Sequence, residues 1–485
     1  MKKVNLFFLM AAALPLFWGC GDDGDDNGED PIVTPTVTAP KVVSTSIADG
    51  ATDVPIGTLV VQVTYDKDIN KSSDASLQPI VTGGTLSGSA SVSGANLTFS
   101  VSCTDYETKV TITIPKGLIG VTGALADAYT FSYTTAKKPV TPTGGIKATP
   151  LTTNAQARKL YDYFYGQYGQ KVVSSVMADV NWNHKIAEKV KALTGKYPAM
   201  NCFDFIHVYV PKNNWIDYDD ITPVKEWADA GGIVQLMWHF NVPVSESTTP
   251  GTDGSGVTCT PSETTFKASN ALKDGTWENK WFYQQMDKVI AVILKLKAEG
   301  IAATWRPFHE AAGNSTARQQ ADWTKAWFWW GYDGADTFKQ LWVAMYDYFQ
   351  QKGADNLIWV WTTQNYNGNS GNYIQDVDWY PGDNYVDMVA RDLYGSDATA
   401  NAQEFAEIQT TYPTKMVVLG ECGKGDSGEQ GQMSQCWTSG AQWGHFMVWY
   451  QGGQGSTNTM CSDAWWKEAM SSDYVITRDQ LPSLR

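Results

Sequence analysis

Cysteine is scarce in this chain, seven among 485 residues, and the seven follow no regular pattern. The dense, even spacing of a disulfide-stapled scaffold is therefore absent. No C-x-x-C pair occurs, and the five histidines include no H-x-x-x-H spacing, so neither a structural nor a catalytic metal is expected. Positive charge is also in deficit: 36 Lys and Arg face 51 Asp and Glu, a formal charge of −15. That balance excludes nucleic acid and anionic membrane surfaces as partners and suits a neutral substrate. No glycine-rich turn follows the first strand-like run of the long C-terminal region, as a doubly wound nucleotide-binding sheet would require. What the chain has in quantity is aromatic: 21 Trp and 23 Tyr, enough both for a packed core and for flat platforms on which sugar rings stack.

The N-terminus, "MKKVNLFFLMAAALPLFWGC", has a short basic start and an apolar run too brief and wrongly flanked to span a membrane. It reads as a secretory signal over residues 1–20. Its terminal Gly19-Cys20 resembles the lipobox of bacterial lipoproteins, which implies lipid attachment at Cys20. The acidic "GDDGDDNGEDP" and the Pro/Thr spacer "PIVTPTVTAP" form a solvated tether over residues 21–40. The acidic run resembles the export signal of Bacteroides-type surface lipoproteins. The resemblance implies a chain anchored by lipid to the outer membrane and exposed at the cell surface.

Residues 41–136 carry short alternating strands split by Gly, Asp and Asn, as in "TLVVQVTYD" and "KVTITIPKG". They predict a small all-β sandwich, and "ADGATDVPIGTLVVQVTYDKDI" resembles bacterial Ig-like spacer domains. It holds no ionisable cluster, so a stalk is the expected role. After a linker at 137–147, residues 148–485 change character. Eight continuous apolar runs alternate with helix-like ones, the pattern of strands buried on both faces. The fold class is α/β, a (β/α)8 barrel behind a small Ig-like sandwich.

Active sites of such barrels lie at the C-terminal strand ends, and polar residues collect there. The third run ends in Trp238-His239 and the fourth in "RPFHE", Arg306 to Glu310. The sixth ends in "RDLY" (Arg391 to Tyr394), the seventh in "GECG" (Gly420 to Gly423) and the eighth in Trp449-Tyr450-Gln451. Glu310 and Glu421 end runs nearly opposite each other in a small barrel. Two carboxyls about 5–5.5 Å apart cleave a glycosidic bond with retention, one as nucleophile and one as acid then base. Arg306 and Tyr394 are positioned to donate to the nucleophile. His445 opens its strand and reads as structural. Asp179 and Asp204, single carboxylates at strand ends, suit loop-holding hydrogen bonds at least as well as substrate contact. Residues 241–280, rich in Ser, Thr and Gly, border the cleft.

"WRPFHE" together with "AWFWWG" resembles the signature of glycoside hydrolase family 26, best known for endo-β-1,4-mannanases, over roughly residues 160–470. The resemblance implies Glu310 as acid/base, Glu421 in "VVLGECG" as nucleophile and Tyr394 in "DLYG" as the nucleophile's hydrogen-bond donor. It implies substrate contact by His239, His309, Trp327 and Trp449 as well. It also implies internal cleavage of mannan, galactomannan or glucomannan without metal or cofactor, by a monomer. Relatives acting on mixed-linkage β-glucan or β-1,3-xylan, exo-acting release of mannobiose, and a catalytically dead glycan-binding barrel stay open as alternatives. Two departures stand out. "AAGNSTARQQADWTKA" separates Glu310 from Trp327 where family members have a few residues, and Cys422 follows Glu421 where an apolar residue is frequent. A buried Cys packs as a small hydrophobe.

Overall fold

Strands whose residues alternate between buried and exposed build one unit, and strands buried throughout build another. The computed structural model describes residues 37–54, 56–135, 145–179, 182–213, 215–313, 326–367, 373–452 and 457–485. The leader, Cys20, most of the tether, most of the linker and the insertion at 314–325 lie outside the described residues.

In the first unit, one four-stranded sheet runs in the order Val42–Thr45, Gly57–Tyr65, Asn96–Cys103, Thr85–Ser93. A second runs Ala51–Val54, Tyr129–Thr135, Lys109–Ile114, Ile80–Thr82. Inward residues such as Val61, Val63, Leu97, Phe99, Val101, Ile112 and Phe131 form a core of their own, the arrangement of a sandwich.

In the second unit, eight parallel strands close on themselves. They are β1 (Val172–Met177), β2 (Met200–Asp204), β3 (Ile233–Trp238), β4 (Ala303–Pro307), β5 (Leu357–Thr363), β6 (Met388–Tyr394), β7 (Met416–Gly423) and β8 (His445–Val448). Closure comes from β1, which pairs with β2 at Ser175↔Met200 and with β8 at Val173↔His445. Outward residues of these strands (Trp305, Trp359, Val417, Leu419) pack into a large aromatic-rich layer under the helices. Inside, Val173, Met200, Ile358, Val360, Met388, Ala390, Met416 and Val418 share a cluster with Leu160, Tyr161 and Phe164 of α1 (Ala155–Gln167). The helix, N-capped by Asn154, thus stops the bottom of the barrel. The sequence reading begins the barrel at β1 and passes over this plug. One layer higher, Met177, Cys202, Met237 and Met447 make an apolar floor. Charged side chains begin immediately above it.

One irregularity decides where the chemistry stands. Strict alternation along β7, with Met416 and Val418 inward, would turn residue 421 outward. The β6–β7 pairing instead slips by one residue, from Arg391↔Leu419 to Asp392↔Glu421, leaving Gly420 unpaired in a bulge. The bulge restores an inward direction to Glu421 and sends Cys422 back out beside Val417 and Leu419. Only glycine fits: a Cβ at 420 would lie 2.5 Å from Asp392 Oδ1 and 3.0 Å from the Ala390 Cβ.

Candidate active site

Arg306 on β4 is fully buried and points over the floor. One of its terminal nitrogens donates to Asp392 Oδ2 at 2.9 Å and Thr362 Oγ1 at 3.1 Å, and the other donates to Glu421 Oε1. The Tyr394 hydroxyl donates to the second carboxylate oxygen, Oε2, at 2.6 Å. Glu421 is therefore gripped at both oxygens, one donor from β4 and one from β6, so its rotamer is fixed. His309 Nε2 stands 3.9 Å from Glu421 Oε1. The His239 ring meets His309 edge-on, 4.4 Å between centroids. Asp204 at the end of β2 holds His239 in turn, with its carboxylate 2.5 Å from Nδ1 and accepting the His239 backbone N–H at 2.9 Å.

Glu310 leaves β4 through a strained turn. Phe308 and Glu310 both take left-handed backbone angles, φ 48° and 51°, at about 1–3 kcal/mol for each non-glycine residue there. The turn is pinned from several sides. The buried Phe308 ring packs against Phe240, Phe282 and Trp329. Trp330 Nε1 donates to the His309 carbonyl at 2.9 Å and Gly313 N to the Glu310 carbonyl at 3.1 Å.

The electrostatics separate the titratable groups. Burial, and then the charges of Asp392 and Glu421, push Glu310 well above the usual carboxyl range, so it keeps its proton. Burial lifts Asp392 as well, with Arg306 opposing. Burial works against the Arg306 charge, but Asp392 and Glu421 outweigh it and hold the guanidinium ionised. For His239, desolvation is overcome by Asp204 and the ring is more basic than usual. Burial, His239 and Arg306 all depress His309, which stays neutral. Among the described residues, no group of three or more His, Cys, Asp or Glu side chains is placed to hold a metal ion.

Six residues expected from the sequence join one connected network: Arg306, His309, Glu421, Tyr394, His239 and Trp449, whose ring lies 5.7 Å from His239. Glu310 lies within their field. Trp327 is 39% exposed. Its neighbour Phe328 meets both histidines, 5.1 Å from His309 and 5.9 Å from His239, and is stacked on Trp330, which itself lies 5.8 Å from His309. His239 and His309 stand just beyond the ends of β3 and β4 rather than within the strands. Asp392 was open to sequence reasoning, since it precedes Tyr394 by two on one strand and must share its face. Tyr450, stacked on Trp449 at 5.3 Å, extends the wall. Nothing in the pattern singled out Phe328. Residues 241–280 are more ordered than a loop, with a hairpin pairing Val242–Pro243 and Val257–Thr258 and a helical turn at Ala268–Ala271.

Residues 150–480 match the model of glycosyl hydrolase family 26. The chain belongs to this family. Residues 36–135 match a bacterial Ig-like domain. Among solved structures, the family 26 domain of an endo-beta-mannanase/endo-beta-glucanase from Prevotella bryantii is 55% identical, with a TM-score of 0.66, covering 69% of this chain and 99% of that one. A beta-mannanase from a symbiotic protist of the termite Reticulitermes speratus, complexed with gluco-manno-oligosaccharide, is 31% identical with a TM-score of 0.54, covering 70% and 99%. A mannan endo-1,4-beta-mannosidase of Thermothelomyces thermophilus is 30% identical over 344 residues, 68% of this chain. The match spans 62% of that relative's length, less than two thirds.

Proposed function

We propose that this family 26 member is a retaining endo-β-1,4-mannanase acting on mannan, galactomannan or glucomannan. The observation that carries the reading is the contrast between two carboxyls. Glu421 has both oxygens gripped by Arg306 and Tyr394, while Glu310 is pushed into its protonated form by burial and by the neighbouring Asp392 and Glu421. A held carboxylate is what a nucleophile at an anomeric carbon needs, and a proton-bearing carboxyl is what a departing glycosidic oxygen needs. In the first step Glu421 forms the glycosyl-enzyme bond as Glu310 gives its proton to the leaving oxygen. In the second, Glu310 takes a proton from water, which displaces Glu421 with overall retention. Neutral His309 and the Asp204-held His239 supply hydrogen bonds to sugar hydroxyls. Trp449, Phe328 and the exposed Trp327 supply apolar ring faces. The names of the relatives support a β-mannan substrate, and the gluco-manno ligand of one of them supports tolerance of glucosyl units.

The leader and tether lead to a further reading, that the enzyme is held at the outer membrane by lipid on Cys20 and faces outward on its Ig-like stalk. Cys20→Ala should move it from the membrane fraction to the soluble one. Catalysis is tested with purified polysaccharides. Rapid viscosity loss with mixed manno-oligosaccharides is expected, and β-anomeric products at early times. One disaccharide from the outset would mean exo action, and affinity without products a binding protein. Glu310→Gln and Glu421→Gln should each abolish turnover of mannan with the fold intact; near-normal activity in either removes that residue from its role.

A further inference from the structure

Behind the strand that carries Glu421, two buried thiols share one apolar layer. Cys422 points outward from β7 and is fully buried, and Cys461, just ahead of α2 (Asp463–Ser471), is buried with it in the same apolar layer. The segment around Cys461 is fastened to the end of β7 by a run of backbone bonds. Trp449 N donates to the Cys422 carbonyl at 3.0 Å, Met460 N to the Trp449 carbonyl at 2.9 Å, and Lys424 N to the Met460 carbonyl at 2.8 Å. The approach is so close that a Cβ at Gly423 would lie 2.4 Å from the Cβ of Met460. These bonds bring the Cys461 segment alongside the end of β7, and both cysteines are free thiols facing the same apolar layer. The remaining described cysteines are placed differently. Cys103 belongs to the sandwich core, Cys202 to the barrel floor, and Cys259 donates to Asn241 Oδ1 at 3.3 Å. Cys436 lies in the same layer as the pair and is the competing partner.

We propose that Cys422 and Cys461 form a disulfide when the chain folds in an oxidising compartment. The bond would clasp the Glu421 strand to the segment that follows the hairpin Tyr450–Gln451/Asn458–Thr459. The oxidant is itself a disulfide, that of a small thiol or of a dithiol oxidoreductase. One cysteine thiolate attacks it, forming a mixed disulfide and releasing one thiol. The other cysteine then displaces the second thiol and closes the protein bond. Two electrons pass to the oxidant and the two cysteine protons leave on its thiols. Cys422 is 0% and Cys461 5% exposed in the folded chain, so the exchange takes place before the barrel has closed around them. The sequence places roughly forty residues between the pair, and a loop of that size raises the unfolding midpoint of a domain this large by about 5 °C. The inference does not depend on the substrate or on catalysis.

The test uses the full chain refolded with oxidised glutathione, denatured without reductant, alkylated, and mapped by mass spectrometry. The expected result is one linked peptide pair containing Cys422 and Cys461, released by reduction, with Cys436 alkylated throughout. The oxidised chain should melt higher than the reduced chain, and Cys461→Ser should abolish that difference while Cys436→Ser preserves it. Free Cys422 and Cys461 in the oxidised sample, or a bond from Cys422 to Cys436, would overturn the proposal. Peptide mapping of the unaltered chain decides the matter even where a serine variant fails to fold.

Discussion

At Glu310 the fold maintains a carboxyl under conditions that penalise its charge. Burial is the first cause, and Asp392 and Glu421 add to it. The folded pKa stands above that of an unfolded glutamate, so the group's contribution to stability is complete below about pH 4 and is lost as pH rises through the folded value. Glu310→Gln has no charge to penalise. Its melting temperature should match the parent near pH 4 and exceed it increasingly towards pH 8, even as mannan turnover is abolished. Calorimetry across that range checks this, and parallel curves would contradict it. Tyr394→Phe is the milder counterpart. It removes one hydroxyl from Glu421 Oε2 and leaves Arg306 in place. Hydrogen bonds to charged groups contribute about 1.5–3 kcal/mol, so kcat should fall by about 10–100-fold with little change in KM. Steady-state kinetics on a soluble mannan would show it. At this scale much was legible, because Arg306 and Tyr394 stand near strand ends where side-chain direction follows from a period of two. Phe328 was not. Its approach to the histidines depends on how the chain enters the helical turn Trp329–Tyr332 after a long insertion, and no local periodicity encodes that path.

Among elements, β7 is the one whose pattern misleads. Its apolar residues announce a buried strand, yet plain alternation places Met416 and Val418 inward and Glu421 outward. The bulge at Gly420 reverses that, and a bulge is a property of the pairing with β6, which a single strand's sequence does not contain. The prediction follows from the space. Gly420→Ala brings a methyl to 2.5 Å from an Asp392 oxygen that is itself tied, through its partner oxygen, to Arg306. Overpacking there should reduce stability by about 1–3 kcal/mol and lower kcat further by displacing Glu421. Denaturant melts and kinetics on one preparation separate the two losses. A contrasting position sits in the barrel plug, α1, which the sequence reading passed over because it precedes the first strand. A Cβ at Gly166 meets nothing within 4 Å. Gly166→Ala should raise stability by about 0.5–1 kcal/mol and leave activity untouched.

For the whole molecule, the sandwich and the barrel have separate interiors. The sandwich core, from Val61 to Tyr133, shares no residue with the clusters that fill and surround the barrel. Between the units, the Tyr106 hydroxyl donates to the Thr438 carbonyl at 3.0 Å, an exposed bond. Such a bond contributes about 1 kcal/mol, too little to make two cores melt as one. Half-buried strands and fully buried strands need different residue patterns, which is why the composition changes between the two units. Two calorimetric transitions are therefore expected. Val101→Ala, at a site of 0% exposure in the sandwich core, should remove about 2 kcal/mol. In a domain of that size this lowers one transition by about 10 °C. The barrel transition should stay where it is, and hydrolysis of soluble mannan should be unchanged, since every charged group at the site hangs from β2 to β7. A single transition, or a shift shared by both, would show instead that the sandwich and the barrel fold as one cooperative unit.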